Sequence, residues 1–102
     1  MGQKFNIIIS DDAHQDIDDI YEYIRAGLQN AKAADMIVDS IYEAISYLDT
    51  DPMIYPAVGK DGFRKCPVKN YIVLYRVYEK ENKVVIAHVY HGTQNYLSEK
   101  RK

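Results

Sequence analysis

The chain has one cysteine, no tryptophan, two phenylalanines and three prolines in 102 residues. A single thiol, Cys66, cannot form an intramolecular disulfide, so the fold must be held by packed apolar side chains. No apolar run approaches the roughly 20 residues that a membrane-spanning helix needs, and no leader with an apolar centre opens the sequence. Together these absences predict a reduced, cytoplasmic setting with no membrane. Glycine-rich phosphate loops, paired cysteines and the HExxH pattern are missing too, which removes the common nucleotide, redox and zinc-protease chemistries. The only histidines are His14, His88 and His91. A spacing of three puts His88 and His91 on opposite faces of a strand, so they do not make a metal site, and no cofactor is expected.

What is present suits one compact domain spanning residues 1–102. Hydrophobic residues make up 47% of the chain, enough for one core in a chain too short for two. The net charge of -2 conceals an asymmetry. Residues 1–58 carry three basic side chains (Lys4, Arg25, Lys32) against eleven acidic ones, a balance of -8, whereas residues 59–102 carry ten against four, or +6. Such a dipolar chain can steer an anionic partner to one side; the plainer reading is a pair of solvated acidic helices.

Lys4-Phe5-Asn6-Ile7-Ile8-Ile9 reads as a first strand that ends at the capping residues Ser10-Asp11. From Ala13, Ile17, Ile20, Tyr21, Ile24 and Leu28 recur at the spacing of one helical face. Gly27 and Gln29-Asn30 interrupt this helix, and Asn30 caps a second one over about 31–48. Ala34, Ile37, Val38, Ile41, Ala44, Ile45 and Leu48 form its inner face, and the short connection predicts an antiparallel hairpin. Asp51-Pro52 stops the second helix. Three strands come after it: Phe63 to Val68, edge-like at Pro67; Tyr71 to Tyr78 after a Lys69-Asn70 turn; and Val84 to His91 after a polar connection. The order predicts an α+β fold, a helical hairpin packed on one face of a small, mostly antiparallel sheet that ends in a three-stranded meander.

The Tyr71–Tyr78 strand has two unlike faces. Tyr71, Val73, Tyr75 and Val77 face the helices; Ile72, Leu74, Arg76 and Tyr78 face away. Most of the ten tyrosines, among them Tyr21, Tyr42, Tyr71 and Tyr75, fall on expected core faces. Ile72 and Leu74 would then form an exposed apolar patch beside Arg76, which suits a peptide partner unless the C-terminal tail folds across it. The remaining chemistry is basic and aromatic: Arg64, Lys65, Lys69, Arg76, His88, His91 and Tyr96. Arginine and lysine neutralise phosphates, tyrosine and histidine stack on bases, and His or Tyr can move protons in RNA cleavage. For Arg76 the plainer reading is a pairing with a carboxylate or a rest over Tyr78.

Several stretches taken together resemble the RelE/ParE superfamily of toxins and plasmid-stabilisation proteins. They are Asp11-Asp12-Ala13 with Asp16-Ile17, Ile20 and Tyr23-Ile24; Leu48-Asp49-Thr50-Asp51-Pro52; Arg64 with Val68 through Val77; and Val85-Ile86-Ala87-His88-Val89-Tyr90-His91-Gly92. The resemblance implies the toxin of a type II toxin–antitoxin pair, silenced by a cognate antitoxin in a hetero-oligomer or as a self-associated dimer. RelE-like members cut ribosome-bound messenger RNA without a metal, and ParE-like members inhibit DNA gyrase. By position, the ribonuclease reading assigns catalysis to Arg64, Arg76, His91 and Tyr96, nucleic-acid binding to Lys65, Lys69 and His88, and antitoxin binding to Ile72 and Leu74. Two departures weigh against a full catalytic set. Ile72 stands where ribonuclease members often carry arginine, and Gly92-Thr93-Gln94 stands where many carry one or two more. Gyrase inhibition, and a toxin homologue that only binds antitoxin, therefore remain as alternatives.

Overall fold

Ser10 joins the first strand to the first helix and ties both to the far end of the chain. Its hydroxyl accepts the Ala13 N–H at 3.0 Å as a helix cap and donates to the Ala87 carbonyl at 3.0 Å. A computed structural model describes residues 4–93, in which β1 (Asn6–Ile9) runs directly into α1 (Asp11–Glu22). A π-helical turn, Tyr23–Gly27, extends the helix. The wider turn rotates the next residues off the 3.6-residue stripe, and Leu28, expected inside, is 56% exposed. Asn30 then caps α2 (Ala31–Tyr47), its Oδ1 accepting the Ala33 N–H at 3.0 Å.

Four more strands complete the sheet: β2 (Ala57–Val58), β3 (Phe63–Val68), β4 (Tyr71–Tyr78) and β5 (Lys83–His91). The sheet order is β1-β5-β4-β3-β2, with β1 parallel to β5 and every other pairing antiparallel. The two-residue β2 is absent from the sequence reading because so short a strand leaves no periodicity. It pairs only with Phe63 and Arg64, so β3 is still a sheet edge at Pro67, where proline is tolerated. Between Leu74 and Tyr75 the β4–β5 register slips, leaving Ala87 as an extra residue on β5. The bulge changes the phase of the strand. Val84, Ile86 and Val89 all enter the core, which strict alternation would not allow.

Ala13 and Ile17 of α1, with Ile41, Ile45 and Leu48 at and beyond α2, pack on Tyr71, Val73 and Tyr75. The helical hairpin thus covers the expected face of β4. Tyr42, by contrast, lies on the solvent side of α2, 38% exposed. Tyr75 is wholly buried, and its hydroxyl donates to the Pro52 carbonyl at 2.7 Å, which fastens the loop after α2 to the centre of the sheet. Burial, the larger cause, together with the nearby Cys66 thiol pushes the Tyr75 phenol up to about 12.

Ile41, with no exposed surface, should cost about 2–5 kcal/mol when truncated to alanine; an unchanged denaturation midpoint would refute the packing of α2. For Tyr75, an unfolded chain ionises near pH 10 and the folded one only near 12. The unfolded state therefore loses protons first as pH rises. The contribution of Tyr75 to stability should be constant below about pH 10 and fall by on the order of 2–3 kcal/mol toward pH 12. Tyr75→Phe should remove that part of the alkaline slope, read by denaturation at each pH, and should itself cost about 1–3 kcal/mol at neutral pH by leaving the Pro52 carbonyl without its donor.

Candidate functional site

Alternation along β3 and β4 sorts the basic residues onto two faces. Arg64 is paired in register with Tyr75, whose ring lies in the core, so it stands on the helix-facing side. Its guanidinium donates to the Tyr55 carbonyl in the loop before β2. Arg76, the next residue along β4, stands on the outer face, where its guanidinium carbon lies 5.4 Å from the ring centroids of both Phe63 and Tyr78. Lys83 Nζ also lies 5.3 Å from the Tyr78 ring centroid. The guanidinium thus rests beside two rings, Tyr78 among them, as the plainer of its two readings has it.

Of the expected set Arg64, Arg76, His91 and Tyr96, the three that fall among the described residues therefore stand apart on the sheet. A period of two sends Arg64 and Arg76 to opposite faces. His91 pairs with Tyr71, five residues along β4 from Arg76, a separation of about 17 Å along the strand. Tyr96 and Gln94 lie outside the described residues, as does the tail expected to cross the outer face. Lys65 is half-buried on the outer face, and Lys69 is exposed in the β3–β4 turn at φ 57.

The expected apolar patch is also smaller than alternation implies. Leu74 is 1% exposed, in the middle strand with Lys65 and His88 directly across on either side. A residue so enclosed offers a partner no surface. Ile72 alone of the two is partly exposed.

His88 and His91 come to one place for a reason that spacing does not contain. β1 pairs only with Lys83–Ile86, so the rest of β5 would be a bare edge. Asp16 of α1 closes it: its Oδ2 accepts the Val89 N–H at 2.9 Å and lies 3.0 Å from His88 Nδ1. Asp12 adds a second, longer approach to His88 Nε2 at 3.9 Å. Beyond this contact the helix and strand diverge into a cleft of ≈ 600 Å³. Asp16, Asp19, Ile20 and Tyr23 form its helical wall, and Tyr71 with His88, Val89, Tyr90 and His91 of β5 forms the strand wall. Tyr71 and His91 meet edge to face at 5.3 Å, and His91 Nδ1 lies 2.8 Å from Thr93 Oγ1. Burial, and then the neighbouring Tyr23, push the Tyr71 phenol up; burial does the same to Tyr90.

Composition alone makes Asp16 part of a solvated acidic face, yet the sequence carries a signal for its role. With Ala13, Ile17 and Ile20 it shares one stripe of the helix, and a carboxylate on an apolar stripe needs a donor. Among the described residues, no group of three or more His, Cys, Asp and Glu side chains could hold a metal ion, and no helix is long and apolar enough to cross a membrane. Cys66 is buried, and burial pushes its thiol up, which makes it a core side chain and a poor nucleophile.

The fold is shared with solved proteins of bacterial toxin–antitoxin systems. The chain superposes on a protein of the chromosomal ParDE toxin–antitoxin system of P. aeruginosa with a TM-score of 0.75 at 17% identity, covering 88% of this chain and 98% of that one. A chain of the RelBE2 toxin–antitoxin complex of Mycobacterium tuberculosis gives 0.68 at 17% identity over 86% and 98% of the two chains. A mutant of the E. coli toxin RelE in the free state gives 0.67 at 11% over 96% and 97%. No curated protein sequence matches. The sequence-family model for the ParE toxin of the type II toxin–antitoxin system parDE matches residues 7–96, and the chain belongs to that family.

Replacing Asp16 by alanine should leave the Val89 N–H without its acceptor at a cost of about 1–3 kcal/mol. The local signature is faster amide exchange at Val89 than at Val84, which sits where β1 still covers β5. Equal protection of both amides in the variant would show that the carboxylate does not close this edge.

Proposed function

We propose that this toxin acts by binding and inhibiting DNA gyrase, and that a cognate antitoxin silences it. The observation that carries this reading is the division of Arg64 and Arg76 between two faces of the sheet. Phosphoryl transfer in RNA needs cations and a proton carrier converging within a few ångströms of one phosphate. Here the Arg64 guanidinium is engaged with the Tyr55 carbonyl on the helix side, Arg76 rests beside two rings on the outer side, and His91 belongs to the far end of the sheet. Ile72 in place of a cation agrees with this, as does the ParE family match. A toxin that works by binding needs surface and charge rather than an assembled catalytic set. The acidic helices on one side and the basic strands on the other supply two distinct surfaces.

Messenger-RNA cleavage on the ribosome is the competing reading, favoured by the stack of Phe63, Arg76 and Tyr78 on the basic outer face, a surface on which bases could lie. Two measurements separate them. Purified toxin should block supercoiling of relaxed plasmid by gyrase, and induction without antitoxin should arrest growth while ribosome-bound message stays intact. Cut message with unimpaired supercoiling would overturn the gyrase reading. Harmless induction would leave only an antitoxin-binding homologue.

A further inference from the structure

The cleft between α1 and the end of β5 takes no part in the gyrase reading, and its lining has a definite chemistry. Asp16, Asp19, Ile20 and Tyr23 recur at three, four and seven residues, so one face of the helix supplies one whole wall. That wall carries two carboxylates. Opposite stand the Tyr71 and His91 rings, already set edge to face. Among the described residues, no lysine or arginine lines the cleft. The Asp19 carboxylate is held in place by Gln15, whose Nε2 donates to its Oδ1 at 2.9 Å. Tyr23 lines the cleft with 61% of its surface exposed, so its ring is open to a partner. A Cβ at Gly27 would lie 3.3 Å from the Tyr23 ring, so a larger residue there would crowd it.

We propose that this cleft binds an arginine side chain presented by a partner peptide, with the guanidinium lying against the Tyr23 and Tyr71 rings and bonded to the Asp19 carboxylate. Charge complementarity selects a cation, because carboxylates and π faces line the cleft and no described lysine or arginine competes. Geometry selects arginine over lysine. A planar guanidinium stacks on a tyrosine ring and meets a carboxylate through two parallel bonds, whereas an ammonium does neither. A volume of ≈ 600 Å³ holds the side chain together with its flanking backbone. Identifying the partner as the antitoxin rests on the functional reading above; the chemistry of the cleft does not.

The probe is the pentapeptide acetyl-Ala-Ala-Arg-Ala-Ala-amide, titrated into the full chain and followed by NMR at the tyrosine ring and histidine ring protons. Its citrulline counterpart, of the same shape without charge, serves as control. The arginine peptide should shift Tyr23, Tyr71 and His91 signals, and the citrulline peptide should bind at least about tenfold more weakly. Tyr23→Ala and Asp19→Asn, both at exposed positions, should each weaken the arginine peptide by about tenfold with the spectrum otherwise folded. Gly27→Ala, which crowds the Tyr23 ring without touching the peptide, should weaken it by a smaller factor. Equal response to both peptides, or shifts confined to α2 around Asp35 and Asp39, would overturn the proposal. So would binding that appears only in a chain ending at Thr93, because residues 94–102 would then be the occupant. Supercoiling inhibition by Asp19→Asn is read separately, so failure of the cleft and failure of the gyrase reading are distinguishable.

Discussion

The mismatch in length between β1 and β5 governs much of this molecule. β1 covers only the first part of a strand that continues to His91, and a strand edge left bare in a small sheet invites pairing with another chain. α1 takes over where β1 stops. Ser10 holds the Ile86 and Ala87 carbonyls with its backbone N–H and hydroxyl, and Asp16 takes the Val89 N–H. The helix is therefore tied to the strand by polar contacts as well as by its apolar stripe. Its position then decides where the cleft opens and which residues line it.

The bulge at Ala87 belongs to the same arrangement. By inserting one residue it brings Val89 into the core beside Ile86 and leaves His88 at the strand margin, within reach of Asp16. Without it, alternation would carry His88 inward and Val89 outward. Tyr75 performs a comparable service on the other side of β4. Its hydroxyl gives the loop after α2 a fixed point in the core, and Arg64 gives the same loop a second one through the Tyr55 carbonyl. An arginine so employed shapes the chain rather than a substrate.

Much of this is legible from residue order. Ser10 and Asn30 cap the helices that their positions announce, the 3.6-residue stripes of α1 and α2 face the core, and the alternation of β4 assigns Tyr71, Val73 and Tyr75 to it. The departures share a cause. Leu28 is exposed because a π-helical turn shifts the phase, Leu74 is enclosed because residues distant in sequence flank it, and Arg64 is occupied by a loop carbonyl. Each depends on a local irregularity or on a partner far along the chain. Period counting contains neither.

Local spacing alone determined the elements, their caps and the choice of inner face, since each arises from the geometry of a few consecutive residues. Charge asymmetry, too, is a property of composition. Tertiary structure decided which basic residues share a face, that a carboxylate of α1 replaces a missing strand, and that Tyr23, Tyr71 and His91 meet around one cleft. Those contacts join residues up to 73 apart in the chain, as Asp16 and Val89 are, and the register, bulge and helix placement that bring them together are settled only when the whole core packs.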